Sequence, residues 1–97
     1  MRRAARVDDN HLAIVRALEK AGAAVTSLAT VGDGVADLLV SYRNRWHVIE
    51  VKDGSKPPSA RKLRDRQKTW IAKQHATVAV ILGVDDALLA IGALLSR

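Results

Sequence analysis

The stretch from Asp37 to Lys52, DLLVSYRNRWHVIEVK, decides the fold. Its two apolar runs, residues 37–42 and 46–52, are separated by the polar residues 43–45, a pattern typical of a β-hairpin. From Val48 to its end, the second run is interrupted only by Glu50 and Lys52, two positions apart. Because alternate side chains of a strand point to the same face of the sheet, these two ionisable groups are predicted to share a face.

Whether Asp37 joins that face depends on the register, which the turn sets. With a two-residue turn at residues 44–45, Leu39 falls opposite Glu50 and Asp37 falls opposite Lys52, so the three ionisable groups share a face. A three-residue loop would place Asp37 on the other face. In the first register the two carboxylates are diagonal neighbours, about 7–8 Å apart at the backbone, and both can reach one hard cation.

Two carboxylates and an ammonium on one face suit phosphodiester hydrolysis. The carboxylates of Asp37 and Glu50 would hold Mg²⁺ or Mn²⁺, which polarises a phosphate oxygen. The ammonium of Lys52 would orient or deprotonate the attacking water and stabilise the negative charge that develops on the phosphate. The ordinary alternative is a cross-strand salt bridge between Asp37 and Lys52, with Glu50 merely solvated.

The remaining elements follow from apolar periodicity and from turn residues. They are an amphipathic helix over 8–21 with Asp8 or Asp9 as its N-cap and Gly22 as its stop, a strand over 23–29, a turn at 32–34, a loop over 53–59, a basic helix over about 59–74, a strand over 77–82, and an apolar helix from Asp85 or Asp86 through Leu95. The predicted order is αβββαβα, an α/β fold. The last helix is apolar over more than half its circumference and is predicted to be buried in the core or in a subunit contact.

Composition restricts the function classes. The 97 residues suffice for one domain, 1–97, in which residues 1–6 look like a loose basic arm. The sequence has no cysteine, so neither a disulfide framework nor a thiolate zinc site is available. Because it also has no apolar stretch of membrane-spanning length, we expect a cytoplasmic protein with no membrane partner. Sixteen basic against ten acidic residues, a formal net charge of +6, favour a polyanionic partner such as nucleic acid.

Two segments carry a resemblance to a known family. Residues 32–40, GDGVADLLV, and residues 50–54, EVKDG, resemble the core of PD-(D/E)XK nucleases, most of all the small phage and bacterial VRR-NUC-like nucleases, which are similar to Holliday junction resolvases. The resemblance extends from about residue 8 to residue 82. Ala36 stands where the family name has a proline, which supplies no ligand. The resemblance implies a restriction-endonuclease-like core, with a mixed central sheet flanked by helices, in a protein of a bacterial or phage-infected cell.

The resemblance also implies roles for single residues. By motif position, Asp37 and Glu50 would bind the divalent metal, Val51 would add its backbone carbonyl, and Lys52 would serve catalysis. Many relatives add a carboxylate from the first helix, and Asp8 is the better candidate because it lies on the inward stripe of that helix. A plain N-cap is the alternative for Asp8.

Gln67 occupies an apolar stripe of the basic helix, where a polar side chain needs a partner. In the family a glutamine on this helix approaches the active site, so the resemblance suggests a catalytic contact to the water, the lysine or a phosphate. A buried amide that is capped or bonded to water is the alternative.

Basic residues around the same helix are expected to contact phosphates without reading sequence. They are Lys56, Arg61, Lys62, Arg64, Arg66 and Lys68. For any one of them, a plain solvated helix face is the alternative. The three histidines lack ligand spacing, and His47 is predicted to face away from Glu50.

The predicted function is therefore a metal-dependent endonuclease that uses Mg²⁺ or Mn²⁺ and no organic cofactor. Its predicted partner is DNA, branched or duplex, and by family analogy it would prefer a junction or a flap. A homodimer is expected because two cuts need two sites. The alternatives are a catalytically inactive nucleic-acid-binding module of the same fold, and an interaction domain whose last helix docks a protein partner.

Overall fold

The β-hairpin organises the structure, a computed structural model that describes residues 7–94. Its strands are β2 (Leu38–Tyr42) and β3 (Arg45–Val51). The turn has two residues, as predicted, but they are Arg43 and Asn44, with φ angles of 49° and 66°. Two left-handed residues in succession make a type I′ turn, whose twist matches that of the flanking strands.

The predicted pairing is therefore wrong by two positions. Leu38 pairs with Ile49, so Asp37 falls opposite Glu50 and not opposite Lys52. The turn chemistry accounts for the difference, because asparagine tolerates the left-handed conformation at the second central position. The guanidinium of Arg43 also lies 5.0 Å from the ring centre of Tyr42, a cation–π contact that offsets part of the strain. A shift by two preserves the faces, so Asp37 still shares one with Glu50 and Lys52.

The sheet has four strands in the order β1-β2-β3-β4, where β1 is Ala24–Ser27 and β4 is Val78–Ile81. The first three strands are antiparallel, whereas β4 runs parallel to β3. A parallel neighbour requires a crossover between the two strands. That crossover contains the basic segment and delivers it to the polar end of the hairpin.

One face of the sheet carries the core. Apolar side chains from three strands pack there against α1 (His11–Lys20) and α3 (Val84–Ile91). The buried members include Ile14, Leu18, Leu38, Val40, Ile49, Val51, Ala87 and Ile91. His47 pairs with Val40 and lies on this face, away from Glu50. The opposite face carries Glu50 and Lys52, and there Gln67 of α2 (Asp65–Ala72) contacts them.

Several predicted helix boundaries are wrong. The N-cap of α1 is Asn10, neither Asp8 nor Asp9. The basic helix does not begin near residue 59: residues 58–60 form a single 3₁₀ turn and α2 begins at Asp65. The guanidinium of Arg61 donates to the carbonyl of Gly54, which holds this segment against the preceding loop and out of the helix.

The last helix, α3, begins and ends before its predicted limits, and its N-cap is Gly83, neither Asp85 nor Asp86. It stops at Ile91 because Gly92 adopts the left-handed conformation that closes a helix. Its apolar circumference is only partly covered: Ala87 and Ile91 are buried, whereas Leu89 is exposed, as is Leu94 beyond the end of the helix. Leu95 and the predicted basic arm, residues 1–6, lie outside the described residues. Within residues 7–94 no helix is long and apolar enough to cross a membrane.

The turn generates a prediction about stability. Asn44→Val is expected to lower the free energy of unfolding by about 1–2 kcal/mol, because a β-branched residue resists a positive φ. Asn44→Gly should leave stability unchanged or raise it, since glycine accepts that conformation freely. Thermal unfolding of both variants checks this expectation, and equal melting temperatures would contradict the left-handed assignment.

Candidate active site

Asp37 links the ends of the two hairpin strands. β2 begins at Leu38, opposite Ile49, so β3 continues beyond it through Glu50 and Val51. The Oδ2 atom of Asp37 accepts a hydrogen bond of 2.8 Å from the backbone N–H of Val51, in place of a ladder partner. Its own carbonyl accepts a 2.7 Å bond from the N–H of Leu28. These two bonds fix the Asp37 carboxylate beside Glu50.

Glu50 and Lys52 are both buried, which is rare for charged residues unless they are paired. Glu50 is 2% exposed and Lys52 is 6% exposed. The Nζ atom of Lys52 lies 3.7 Å from Oε2 of Glu50. The ordinary alternative, a salt bridge from Asp37 to Lys52 beside a solvated Glu50, is therefore wrong on both counts. Burial is costly for a carboxylate unless neighbouring groups satisfy it, so the surroundings of Glu50 need an explanation.

Gln67 provides one of the neighbouring groups that satisfy the buried Glu50 carboxylate. Its Oε1 accepts a 2.8 Å bond from Nζ of Lys52, and its Nε2 donates a 3.0 Å bond to Oε2 of Glu50. The same Oε1 accepts a 2.8 Å bond from the backbone N–H of Arg64, the residue before α2. One amide thus holds both buried ionisable groups and satisfies a free N–H at the helix start. It contacts the lysine, as the resemblance suggested, and it also caps its helix.

Asn10 helps to build the site, a role that was not predicted from the sequence. Its Nδ2 donates to the carbonyls of Lys52 and Leu82, at 3.1 and 3.3 Å. It thereby ties the start of α1 to the ends of the parallel pair β3 and β4, next to the lysine. An asparagine before a helix ordinarily signals an N-cap, and nothing in the sequence distinguishes a side chain that instead reaches two other strands.

Burial and the neighbouring carboxylate act together on Glu50. Loss of solvent, repulsion by Asp37 and a hydrogen bond between the two carboxyl groups raise the pKa of Glu50 to about 8, and the ammonium of Lys52 only partly opposes them. Without a further cation the site therefore holds a proton near neutral pH. A cation bound between the carboxylates would replace that proton.

The donor atoms fit a hard divalent cation. Asp37 and Glu50 offer carboxylate oxygens, the ligands that Mg²⁺ prefers. Val51 directs its N–H to Asp37, and because the N–H and C=O of a strand residue point to the same side, its carbonyl is directed there too. Among residues 7–94 no three His, Cys, Asp or Glu side chains gather closely enough to hold a metal ion. A metal site here would therefore rest on two carboxylates and this carbonyl.

Asp8, the predicted additional ligand, lies at the edge of the site. Its negative charge contributes to the raised pKa of Glu50. It is not the N-cap that was its alternative, because Asn10 holds that position, although its carbonyl accepts a 3.0 Å bond from the N–H of His11. Its side chain is half-exposed and is therefore free to approach a cation.

The predicted phosphate-binding residues differ in their surroundings. Lys56 lies 3.3 Å from Asp9, and the hydrogen bond to this carboxylate, together with its charge, raises the pKa of the lysine. Arg61 is half-buried and bonded to Gly54, so it acts on the loop. Lys62, Arg64, Arg66 and Lys68 are exposed around the start of α2. Positive charge therefore borders the side of the site where Gln67 enters.

Comparison of the chain with protein-family models, with curated proteins and with solved structures gave no match.

The raised pKa of Glu50 predicts how stability depends on pH. Between about pH 4.5 and pH 8 the folded protein keeps a proton that the unfolded chain releases, so its free energy of unfolding falls as the pH rises through that window. Glu50→Gln keeps the shape and removes the titration. In metal-free buffer the variant should melt close to the native protein at pH 4.5 and at least about 5 °C above it at pH 8.

Thermal unfolding at a series of pH values, with a chelator present, measures this difference. Glu19→Gln, at an exposed position of α1, is the matched control and should follow the native protein at every pH. A difference between Glu50→Gln and the native protein that stays constant with pH would contradict the raised pKa.

A second prediction concerns Gln67. Gln67→Ala would leave Lys52 and Glu50 buried with one partner fewer each, and should lower the free energy of unfolding by about 1–3 kcal/mol. Gln74→Ala is the control, because the Gln74 amide is exposed and bonds only to the carbonyl of Trp70 in its own turn. That variant should stay within about 0.5 kcal/mol of the native protein. Equal free energies of unfolding of the two variants in chemical denaturation would contradict the role of Gln67 as the partner of the buried pair.

Proposed function

We propose that the protein is a divalent-metal-dependent endonuclease of the PD-(D/E)XK type, with a restriction-endonuclease-like core, and that it hydrolyses phosphodiester bonds in DNA. The observation that carries this proposal is the buried pair Glu50 and Lys52 beside Asp37, held by one amide of Gln67. A purely structural protein gains little from such a group, since apolar residues of similar volume are often as stable.

The metal would be held by Asp37 and Glu50, with the carbonyl of Val51 as a third ligand and Asp8 as an additional one. Bound there, Mg²⁺ or Mn²⁺ supplies Lewis acidity toward a phosphate oxygen. The chemistry of the donors supports this assignment, because all of them are oxygens and the two carboxylates share a proton in the absence of a cation.

Lys52 would act on the reacting phosphate. Its ammonium is fixed by Gln67 before any substrate arrives, so no reorganisation is needed when negative charge develops on the phosphate. Because the group is buried, that charge interacts with it more strongly than it would in water. Lys52 is thus the catalytic residue, and Gln67 positions it.

The exposed basic residues around α2 favour a nucleic acid over a small phosphate ester. Lys62, Arg64 and Lys68 lie outside the ion pairs of the described residues, and with Lys56 and Arg66, which contact exposed aspartates, they can bind backbone phosphates on either side of the site. We propose branched DNA, a junction or a flap, as the preferred substrate, and a homodimer as the active form, since one chain supplies one site.

Cleavage of labelled DNA tests the function. Linear, flap and four-way-junction substrates are incubated with Mg²⁺, with Mn²⁺ or with a chelator. We expect metal-dependent cutting that falls by at least about 100-fold in Lys52→Ala, while Lys20→Ala, an exposed lysine on α1 away from the site, retains full activity. Circular dichroism establishes that each variant is folded, and Lys52→Met preserves the side-chain length if the alanine variant is unstable.

Metal binding supplies an independent measurement. Calorimetric titration with Mg²⁺ should give a binding signal for the native protein that is lost in Asp37→Asn and in Glu50→Gln. Cutting that persists in Lys52→Ala or in the chelator would refute the proposed mechanism. DNA binding without any cutting would instead identify an inactive binding module.

A further inference from the structure

Two adjoining cavities lie beside the candidate active site, where the loop between β1 and β2 meets the start of α2. The first, of about 450 Å³, is lined by Asp37 and Gln67, so it opens onto the site itself. The second, of about 330 Å³, is lined by Trp70 and Lys73 farther along α2. Both volumes lie in the range of ligand pockets.

The two cavities form one groove, because Asp33, Asp65 and Arg66 line both of them. Arg66 lies 3.7 Å from Asp33 where the cavities meet, and both side chains are largely exposed. An exposed ion pair of this kind contributes little to stability. Its arginine is therefore available to a phosphate that enters the groove.

The groove is narrow at its base. Gly34 has φ +82°, and a Cβ atom there would lie only 2.2 Å from the carbonyl oxygen of Arg66, so loop and helix touch backbone to backbone. Beyond this contact, Glu50 and Lys52 are recessed, at 2% and 6% exposure. Such a recess leaves less room for a base that is paired within a duplex than for a nucleotide of an unpaired strand.

We propose that this groove binds an unpaired DNA strand next to the scissile phosphate, an inference that rests on the proposed nuclease function and narrows its substrate. The first cavity takes a base and its sugar, since Asp37 adds a third carboxylate to its lining, whereas Lys73 adds positive charge to the second cavity. Arg66 and Lys73 bind the backbone phosphates, and the half-buried ring of Trp70 stacks on the following base. The preferred substrate therefore carries a single-stranded segment at the cut.

Binding without metal tests the groove separately from catalysis. Fluorescence anisotropy in chelator compares one labelled 12-nucleotide DNA as a single strand and as a blunt duplex. We expect tighter binding of the single strand, and a loss of about tenfold in Trp70→Leu. Trp46→Leu is the matched control, because Trp46 is 72% exposed on β3 and lines neither cavity. Its affinity should equal that of the native protein.

Two further variants keep the test decisive if Trp70→Leu unfolds. Trp70→Phe retains an aromatic ring and should retain most of the affinity, and Lys73→Gln should reduce the salt dependence of binding by about one phosphate contact. Equal binding of single strand and duplex, or equal affinities of the Trp70 and Trp46 variants, would overturn the groove assignment. Hydrolysis of a small phosphodiester with Mn²⁺ reports on the nuclease function alone, so the two inferences fail independently.

Discussion

The pairing of β2 with β3 is the constraint on which the remaining structure depends. A slip of one residue would turn Asp37, Leu39 and Ser41 to the core in place of Leu38 and Val40. The type I′ turn at Arg43 and Asn44 prevents that slip, because its two left-handed residues admit only one connection between the strands. A local backbone conformation therefore sets the positions of groups far from the turn.

The other face of the sheet is shaped by the burial of the Glu50 carboxylate. Burial raises the pKa of Glu50, the neighbouring Asp37 raises it further, and Lys52 opposes the rise. The helix that covers this face is short and contributes no fully buried residue, yet its glutamine reaches both partners. The face is therefore built around polar contacts, whereas the opposite face is built around an apolar core. Such a division leaves the polar side open to a ligand.

Much of this arrangement could be predicted from periodicity. The spacing of Glu50 and Lys52 within an apolar run places them on one face whatever the exact register, and the stripe position of Gln67 predicts that it needs a partner. The turn position could not be predicted, because residues 43–44 and 44–45 both contain the asparagine that favours it. The start of α2 could not be predicted either, since it depends on a bond from Arg61 to Gly54 that forms only in the folded chain.

The close contact between Gly34 and the carbonyl of Arg66 has a consequence for how this chain can vary. No side chain fits at Gly34 unless the start of α2 moves away, and α2 carries the glutamine that holds the buried pair. A substitution in the loop and a compensating change at the helix start would have to be acquired together. The sequences of the loop and of the helix start therefore constrain each other.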